Sequence, residues 1–423
     1  MRKIDEIKID IPKYPKLIID TLEQNGYEAY IVGGCVRDNL LGETPNDYDI
    51  TTNATPEVIK KLFKRTIDVG IKHGTVSVLF YEKDKPLTFE VTTYRIDGEY
   101  DDARHPKKVL FVNDLREDLL RRDFTINAMA YNEKVGLVDE FGGLVDLERK
   151  IIRAVGNPEE RFNEDALRLL RAVRFSAKLG FDIEEDTRNA IIKLASHLSL
   201  ISKERVQVEL TKTITSDNPS YISKVYEYGL AKYIADGFDK VDIGRFEKRQ
   251  MIHIAYACLL YNTEVETATK ILRDLKLDNN TISKVLSLID AKKIYYAICS
   301  SSEDRKMSFN LCVKQLINFL GYELASDFIR LVEINENENS TINDEIKNKV
   351  LKLKKEKCPI FIADLMINGN DLKDIGFKGQ EIGVGLSQLL QIVHKNRKCN
   401  KKNVLQEIAK KAYNTYKGEQ YEL

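Results

Sequence analysis

A change of pattern near Gly143 constrains this chain more than any other feature. Before it, helix and strand signatures alternate. "AYIVGGCV" and "GTVSVLFYE" read as strands, and "PLTFEVTTYRI" is β-branched with period-two alternation. "TPEVIKKLF" reads as a short amphipathic helix, with Thr55 at its cap and Pro56 in its first turn. From about Leu144 onward the periodicity is helical and stays so. "NEDALRLLRAVRFSAKLGF" is expected to be one helix, with Asn163 as N-cap and Gly180 as C-terminal stop. With 423 residues the chain exceeds one compact core, so two to four domains are expected: an α/β head, then a long all-α remainder.

Composition narrows the function classes. Hydrophobic residues make up 43% and charged residues 31%, as in soluble globular proteins. Lys plus Arg equal Asp plus Glu at 66 each, yet a neutral total still permits a basic nucleic-acid face offset elsewhere. The six cysteines are scattered without a C-x-x-C pair, and the five histidines are isolated. That argues against a zinc site, a disulfide scaffold and a paired-histidine metal centre, and suits a reducing compartment. The N-terminal segment lacks the continuous apolar core of a secretory signal. No apolar run approaches the ~20 residues of a membrane span. The expected address is the cytoplasm, with no membrane partner.

The chemistry concentrates in "NDYDIT". On a strand, Asp47 and Asp49 project to one face with Tyr48 opposite. Carboxylates so placed repel unless a cation lies between them, and Mg²⁺, held by carboxylates and substrate phosphates, suits them. A solvated strand end is the alternative for this short motif taken alone. Upstream, "VGGCVRD" supplies Gly33 and Gly34, which let backbone N–H groups approach a ligand, and Arg37, which can grip phosphate with a fork. Neither the dinucleotide fingerprint nor the P-loop pattern is present.

"GGCVRD" followed by "NDYDI" resembles the nucleotidyltransferase superfamily. More closely, the chain resembles the bacterial-type (class II) tRNA nucleotidyltransferase and poly(A) polymerase family. The likeness continues through "FEVTTYRIDGEYDDARHP", "REDLLRRDFTINAMAY" and "ERFNEDALRLLRAVRFSAKLGF". It implies an α+β chain with a nucleotidyltransferase-type mixed-sheet head at 1–143. An elongated all-α neck at 144–216, carrying a base-selecting helix, would follow, then a body at 217–303 and an RNA-binding tail at 304–423. The implied reaction is template-independent addition of C, C and A to tRNA 3′ ends from CTP and ATP by two-metal transfer. Addition of A alone, poly(A) synthesis, and a non-catalytic RNA-binding protein are the alternatives.

The resemblance also implies roles. Asp47 and Asp49 would hold Mg²⁺, with Glu90 either a third catalytic acid or a supporting one. Gly34 and Arg37 would line the nucleotide. An arginine of "RRDF" would contact the triphosphate; Arg121 is preferred to Arg122, and Asp123 reads as a helix cap. Asp165 and Arg168, three apart on a helix, would judge the base. Asp accepts the exocyclic amine of C or A while Arg donates to the ring acceptors, and U and G present the wrong groups. Arg171 and Arg174 would meet phosphates or buttress the head. "RIDGEYDDARHP", Arg95 to Pro106, would be a mobile loop used in switching from C to A. In the tail, "KLKKEK" (352–357), "HKNRKCNKKN" (394–403) and the glycine-rich 367–393 segment offer material for RNA phosphates, although charge runs are commonly solvated faces.

Overall fold

The computed structural model describes residues 7–70, 73–97, 109–300, 305–336 and 341–419. The described chain forms two compact units, one ending at Lys240 with 274–276 added, the other comprising 241–273 and everything from Leu277 on. The expected boundary between neck and body, at 216–217, lies inside the first unit. Residues 301–304, at the expected boundary between body and tail, lie outside the described residues.

The first unit opens with a seven-stranded sheet ordered β3-β4-β5-β2-β1-β8-β9. Its strands are β1 (Ala29–Val32), β2 (Asp49–Thr52), β3 (Thr66–Gly70), β4 (Thr75–Glu82), β5 (Lys85–Thr93), β8 (Ala130–Asn132) and β9 (Gly136–Val138). A separate ladder joins β6 (Arg95–Asp97) to β7 (Val109–Phe111), and the expected switching loop between them falls outside the described residues. β1 is wholly buried, as a continuous apolar run in a central strand should be. Helix α1 (Lys13–Gln24) lays Ile18, Ile19 and Leu22 against β1 and β2. Burying each such side chain contributes about 1.5–3 kcal/mol. Within this sheet β2 and β5 are the parallel pair and the other ladders are antiparallel. Helix α2 (Gly34–Leu40) leaves the end of β1 through Gly33. Helix α3 (Pro56–Leu62) begins as expected at Thr55–Pro56, although the Thr55 side chain makes no capping bond. β4 and β5 turn at Lys83 and Asp84, both exposed and left-handed with φ of 48° and 65°.

After α4 (Leu115–Leu120) and β9 the unit is mostly helical. The expected helix from Asn163 to Gly180 is two helices. Asn157 caps a short one, Pro158–Glu164, accepting the Glu159 N–H at 2.9 Å. Asn-Pro followed by two glutamates is a stronger start signal than Asn163, which falls inside that turn. The backbone then breaks at Asp165 (φ −143°, ψ 103°), and α5 (Leu167–Leu179) starts afresh. Gly180 ends α5 at φ 69°, as expected. α6 (Lys203–Ile214) packs along α5.

The second unit is all helix. α7 (Arg305–Asn335) is interrupted at Gly321, whose φ of 75° is not helical. α8 (Thr341–Lys355) follows, and α9 (Gln380–Lys395) contributes Leu386, Leu389, Leu390 and Val393 to a core shared with Leu372 and Leu405. Asn368 and Asp371 form a capping box, the Asp371 carboxylate accepting the Asn368 N–H at 2.8 Å. Among the described residues no helix is long and apolar enough to cross a membrane.

Candidate active site

Strand register builds the site. β1 runs antiparallel to β2 with Val32 opposite Asp49, so the Gly33–Gly34 turn ends beside the first residue of β2. β2 runs parallel to β5 with Ile50 opposite Val91, so Asp49, the first residue of β2, and Glu90, late in β5, each lie one residue before that pair on neighbouring strands. Gly33 donates its N–H to the Met129 carbonyl at 3.0 Å, which brings the Asp123–Asn127 segment against the same edge.

These elements surround a cleft of about 520 Å³ lined by Gly34, Asp47, Asp49, Asp165 and the arginines at 37, 121, 168, 171 and 174. All the expected site residues except Glu90 meet there. Glu90 is exposed at its edge, close enough for its charge to act on Asp49. The lining also contains Gly33, Arg122, Asp123, Asn127, Phe175, Lys178 and Arg205. Eight cationic side chains face four carboxylates in it, so the net field favours an anionic ligand.

Asp49 opens to the cleft but is backed by protein. Burial first, then the Asp47 charge, raise its pKa to about 6; Arg122 opposes them and Glu90 adds to them. Surplus negative charge at this point is what a bound cation would neutralise. The two carboxylates are hard oxygen donors of the kind Mg²⁺ takes together with substrate phosphates, and among the described residues no group of three His, Cys, Asp or Glu side chains converges as ligands. Behind Asp49, burial and then the Asp49 charge push the Cys35 thiol up to about 12, which removes it as a nucleophile.

Asp118 fixes both arginines of "RRDF". It is fully buried. Burial alone would raise its pKa, but Arg121 and then Arg122 hold it below the usual carboxylate value. Arg121 donates Nε and Nη2 to Asp118 Oδ1 at 2.9 and 2.7 Å. Arg122 reaches Oδ2 only at 3.4 Å, and its buried Nε has no hydrogen-bond partner. Its Nη1 lies where a Gly33 side chain would be, 2.9 Å from an added Cβ. Gly33 also holds φ 80°, so glycine is required twice over. Arg122 is thus the less engaged of the two and stands nearest the Gly-Gly turn and Asp49.

Asp123 does not cap an α-helix. It accepts the Phe124 N–H at 2.8 Å ahead of a 3₁₀ turn, Thr125–Asn127, and receives the Arg171 fork, Nε at 2.8 Å. Burial works against its charge, but Arg171 outweighs it and holds the pKa at about 2. Arg171 therefore ties α5 to the sheet edge. Arg174 Nε lies 2.6 Å from Glu209 Oε2 but is misaligned for a hydrogen bond, so the contact is an ion pair. Its guanidinium stacks 3.9 Å from the Phe175 ring centroid, with those of Arg37 and Arg171 at 5.3 and 5.4 Å. Arg37 is itself buried and donates to Asp38 and Asn127.

Asp165 precedes α5 rather than lying on it. Its Oδ1 accepts the Leu167 N–H at 3.0 Å, and its Oδ2 accepts Arg205 Nη2 at 2.7 Å. Arg168 donates its backbone N–H to the Asp165 carbonyl at 3.0 Å, but its guanidinium makes no hydrogen bond to the carboxylate. Arg168 Nη1 donates to the Arg161 carbonyl and to Glu164, both within 2.8 Å, and Nη2 donates to the Arg121 carbonyl at 2.8 Å. Nε–H and one Nη2–H remain. Arg205 Nη1 is buried without a hydrogen-bond partner. Sequence reasoning missed Arg205; nothing local to "SKERVQVEL" marks it, because its partner is 40 residues away on another element.

Residues 29–153 match the family described as the Poly A polymerase head domain, and residues 180–241 match the probable RNA and SrmB-binding site of polymerase A. The CCA-adding enzyme of Ligilactobacillus salivarius (strain UCC118) is 38% identical over 421 residues, covering 96% of this chain and 97% of its own. That of Geobacillus sp. (strain WCH70) is 37% identical over 389 residues, with 89% and 90% covered. The crystal structure of the Bacillus stearothermophilus CCA-adding enzyme in complex with CTP matches with a TM-score of 0.75 at 30% identity, over 96% of this chain and 100% of that one.

Proposed function

This chain belongs to the family of CCA-adding enzymes, and from that premise we propose that it adds C, C and A to tRNA 3′ ends from CTP and ATP. The observation that carries the reading is the meeting, in one cationic cleft, of Asp47 and Asp49 with the arginine wall and with Asp165 and Arg168. In each cycle the RNA 3′-oxygen forms a bond to the α-phosphorus, the bond to pyrophosphate breaks, and the hydroxyl proton leaves. Two Mg²⁺ ions held by Asp47 and Asp49 would polarise the α-phosphate and offset charge on the entering and leaving oxygens. Glu90, one strand away, is proposed to support these acids.

The chain's other groups position the substrates. Arg122, with its Nη1 beside the Gly-Gly turn and its Nε without a hydrogen-bond partner, is proposed as the triphosphate contact in place of Arg121, whose fork is held by Asp118. The Gly34 backbone gives the phosphates room. Arg37, Arg171 and Arg174 hold the wall together and set its charge. Asp165 accepts the exocyclic amine of C or A, and the two free N–H groups of Arg168 meet the ring acceptors. Arg205 holds the Asp165 carboxylate in place. A buried mismatch with U or G costs about 1–3 kcal/mol per unpaired group.

The test uses tRNA transcripts lacking CCA, C-ended and CC-ended, with CTP and ATP supplied singly and together, followed by 3′-end sequencing. Ordered C, C, A addition is the expected result. Extension only of CC-ended RNA, or runs of A, would reassign the reaction.

A further inference from the structure

The sheet carries an exposed stripe that runs outward from the acids. In the β4–β5 ladder Ser77 lies opposite Glu90, Leu79 opposite Thr88 and Tyr81 opposite Pro86, so these side chains share the face that carries Glu90 and Asp49. β3 continues that face: Ile67 pairs with Ser77, and the Arg65 carbonyl accepts the Leu79 N–H at 3.0 Å. Ile67 is 49% and Tyr81 50% exposed, Leu79 is half-buried, and Thr88 is exposed. The Arg65 guanidinium stacks over the Tyr81 ring, 4.8 Å from its centroid, and has no carboxylate partner among the described residues. The other face of these strands, with Val76, Val78 and Val91, is buried and supplies the core. Single exposed apolar side chains are ordinary on a protein surface. Here an aromatic ring, a guanidinium and two aliphatic side chains lie together on one face, in line with the acids. Pro86, opposite Tyr81, is four residues beyond Glu90 toward the hairpin tip. At ~3.3 Å per residue that is about 13 Å, the length of roughly four stacked nucleotides.

We propose that Tyr81 and Arg65, with Leu79 and Ile67 beside them, form a stacking platform for the unpaired bases just upstream of the RNA 3′-hydroxyl. The proposal rests on the tRNA substrate inferred above. A nucleobase stacks on an aromatic ring or a guanidinium plane whatever its identity. That tolerance suits an enzyme whose RNA end changes in sequence and length with every addition. The stripe starts at the acids, so a base held on it leads its 3′ neighbours toward them, and the arginine-lined cleft is left to the incoming triphosphate. Lys64, exposed and next to Arg65 in the chain, adds positive charge at this edge, while Asp68 is taken up by Lys60 at 2.9 Å. That balance favours RNA over a second copy of the chain as the occupant. Tyr81 and Arg65 are positioning residues; they touch the RNA and not the reacting atoms.

Full-length Tyr81→Ala and Tyr81→Ala/Arg65→Gln proteins are compared with wild type in the addition of A to CC-ended tRNA transcripts. The transcripts are intact or carry an abasic nucleotide at the third or fourth position from the 3′ end. With intact RNA, KM for RNA should rise roughly 5- to 30-fold, the worth of one stacked base, with kcat and KM for ATP unchanged. On the abasic RNA that lacks the stacked base, wild type should lose as much and Tyr81→Ala should lose nothing further. Tyr81→Trp should keep the wild-type KM. Unchanged KM for RNA in both variants would overturn the proposal. So would an equal rise on intact RNA and on both abasic RNAs, which would mark a merely structural role. A dimer seen in sedimentation that Tyr81→Ala dissociates, with KM for RNA unchanged, would give the stripe to a second copy and also overturn it. Direct binding titrations of the same transcripts separate this proposal from the reading it rests on. If wild type adds no nucleotide yet binds CC-ended RNA with the same dependence on Tyr81 and on the abasic position, the functional reading fails and the platform stands.

Discussion

At the residue scale, two groups give opposite signatures. Asp49 has its pKa raised from 3.8 to about 6, so the folded state holds that proton more tightly than the unfolded chain. Between those values, raising the pH lowers stability, and the penalty is complete above about 6. Metal-free Asp49→Asn should therefore melt higher than wild type at pH 7.5, by on the order of 1 kcal/mol after solvent screening, and equally at pH 3. Mg²⁺ should raise the wild-type melting temperature more than the variant's; equal shifts would remove Asp49 from the metal assignment. The arginine pair separates by readout. Arg121→Ala leaves a buried carboxylate without its main partner and should lower stability by about 3 kcal/mol in denaturant titrations. Arg122→Ala should leave stability nearly intact and lower kcat/KM for CTP and ATP alike by roughly 30- to 100-fold, the worth of one charged contact. If Arg121→Ala gives the kinetic loss instead, the roles exchange.

At the element scale, the break before α5 bears on the proposed base choice. Asp165 is free of the helix, so its carboxylate can cap Leu167, meet Arg205 and still face the cleft. Asp165→Asn keeps an acceptor for the cap but adds amide donors where, on the proposed reading, an amine would be received. It should shift incorporation from C and A toward U by roughly 10- to 100-fold in competition assays with mixed triphosphates. Arg205→Ala should blur selection while leaving Mg²⁺ binding unchanged. Much of the architecture was legible beforehand. β1 and β4 read as strands and β5 shows period-two alternation, and the Gly33–Gly34 and Asp47–Asp49 motifs pointed to one ligand site. The break at Asp165 was not legible, because "NEDALRLL" is apolar at helical spacing on both sides of it. Nor was the engagement of Arg168 by the Arg121 carbonyl, a contact across 47 residues that only packing of the short helix and α5 against the head creates. The difference between Arg121 and Arg122 was not legible for a similar reason: adjacent side chains diverge, and Asp118 decides which is held.

At the scale of the whole molecule, a formal charge of zero conceals two concentrations of cations, the cleft arginines in the first unit and Lys314, Lys349, Lys395 and Arg397 around one pocket in the second. tRNA affinity should therefore fall steeply with salt, which binding titrations would show; a flat dependence would contradict phosphate contacts at either. The first unit also carries an acid-sensitive joint. Asp123, held at about 2, contributes stability that is present above its unfolded value of 3.8 and is lost as pH falls from about 4 to 2. Asp123→Asn should be roughly 3 kcal/mol less stable at neutral pH, because Arg171 loses its buried partner, and should lack that stretch of the acid-unfolding profile.

The hairpin tip at Lys83–Asp84 belongs to an excursion between β2 and β5, the two parallel strands that align Asp49 with Glu90. Because the acids are aligned by that strand pairing and not by the tip, the tip is a natural point of attachment. A fluorophore or short peptide tag grafted there should leave the alignment of the acids undisturbed.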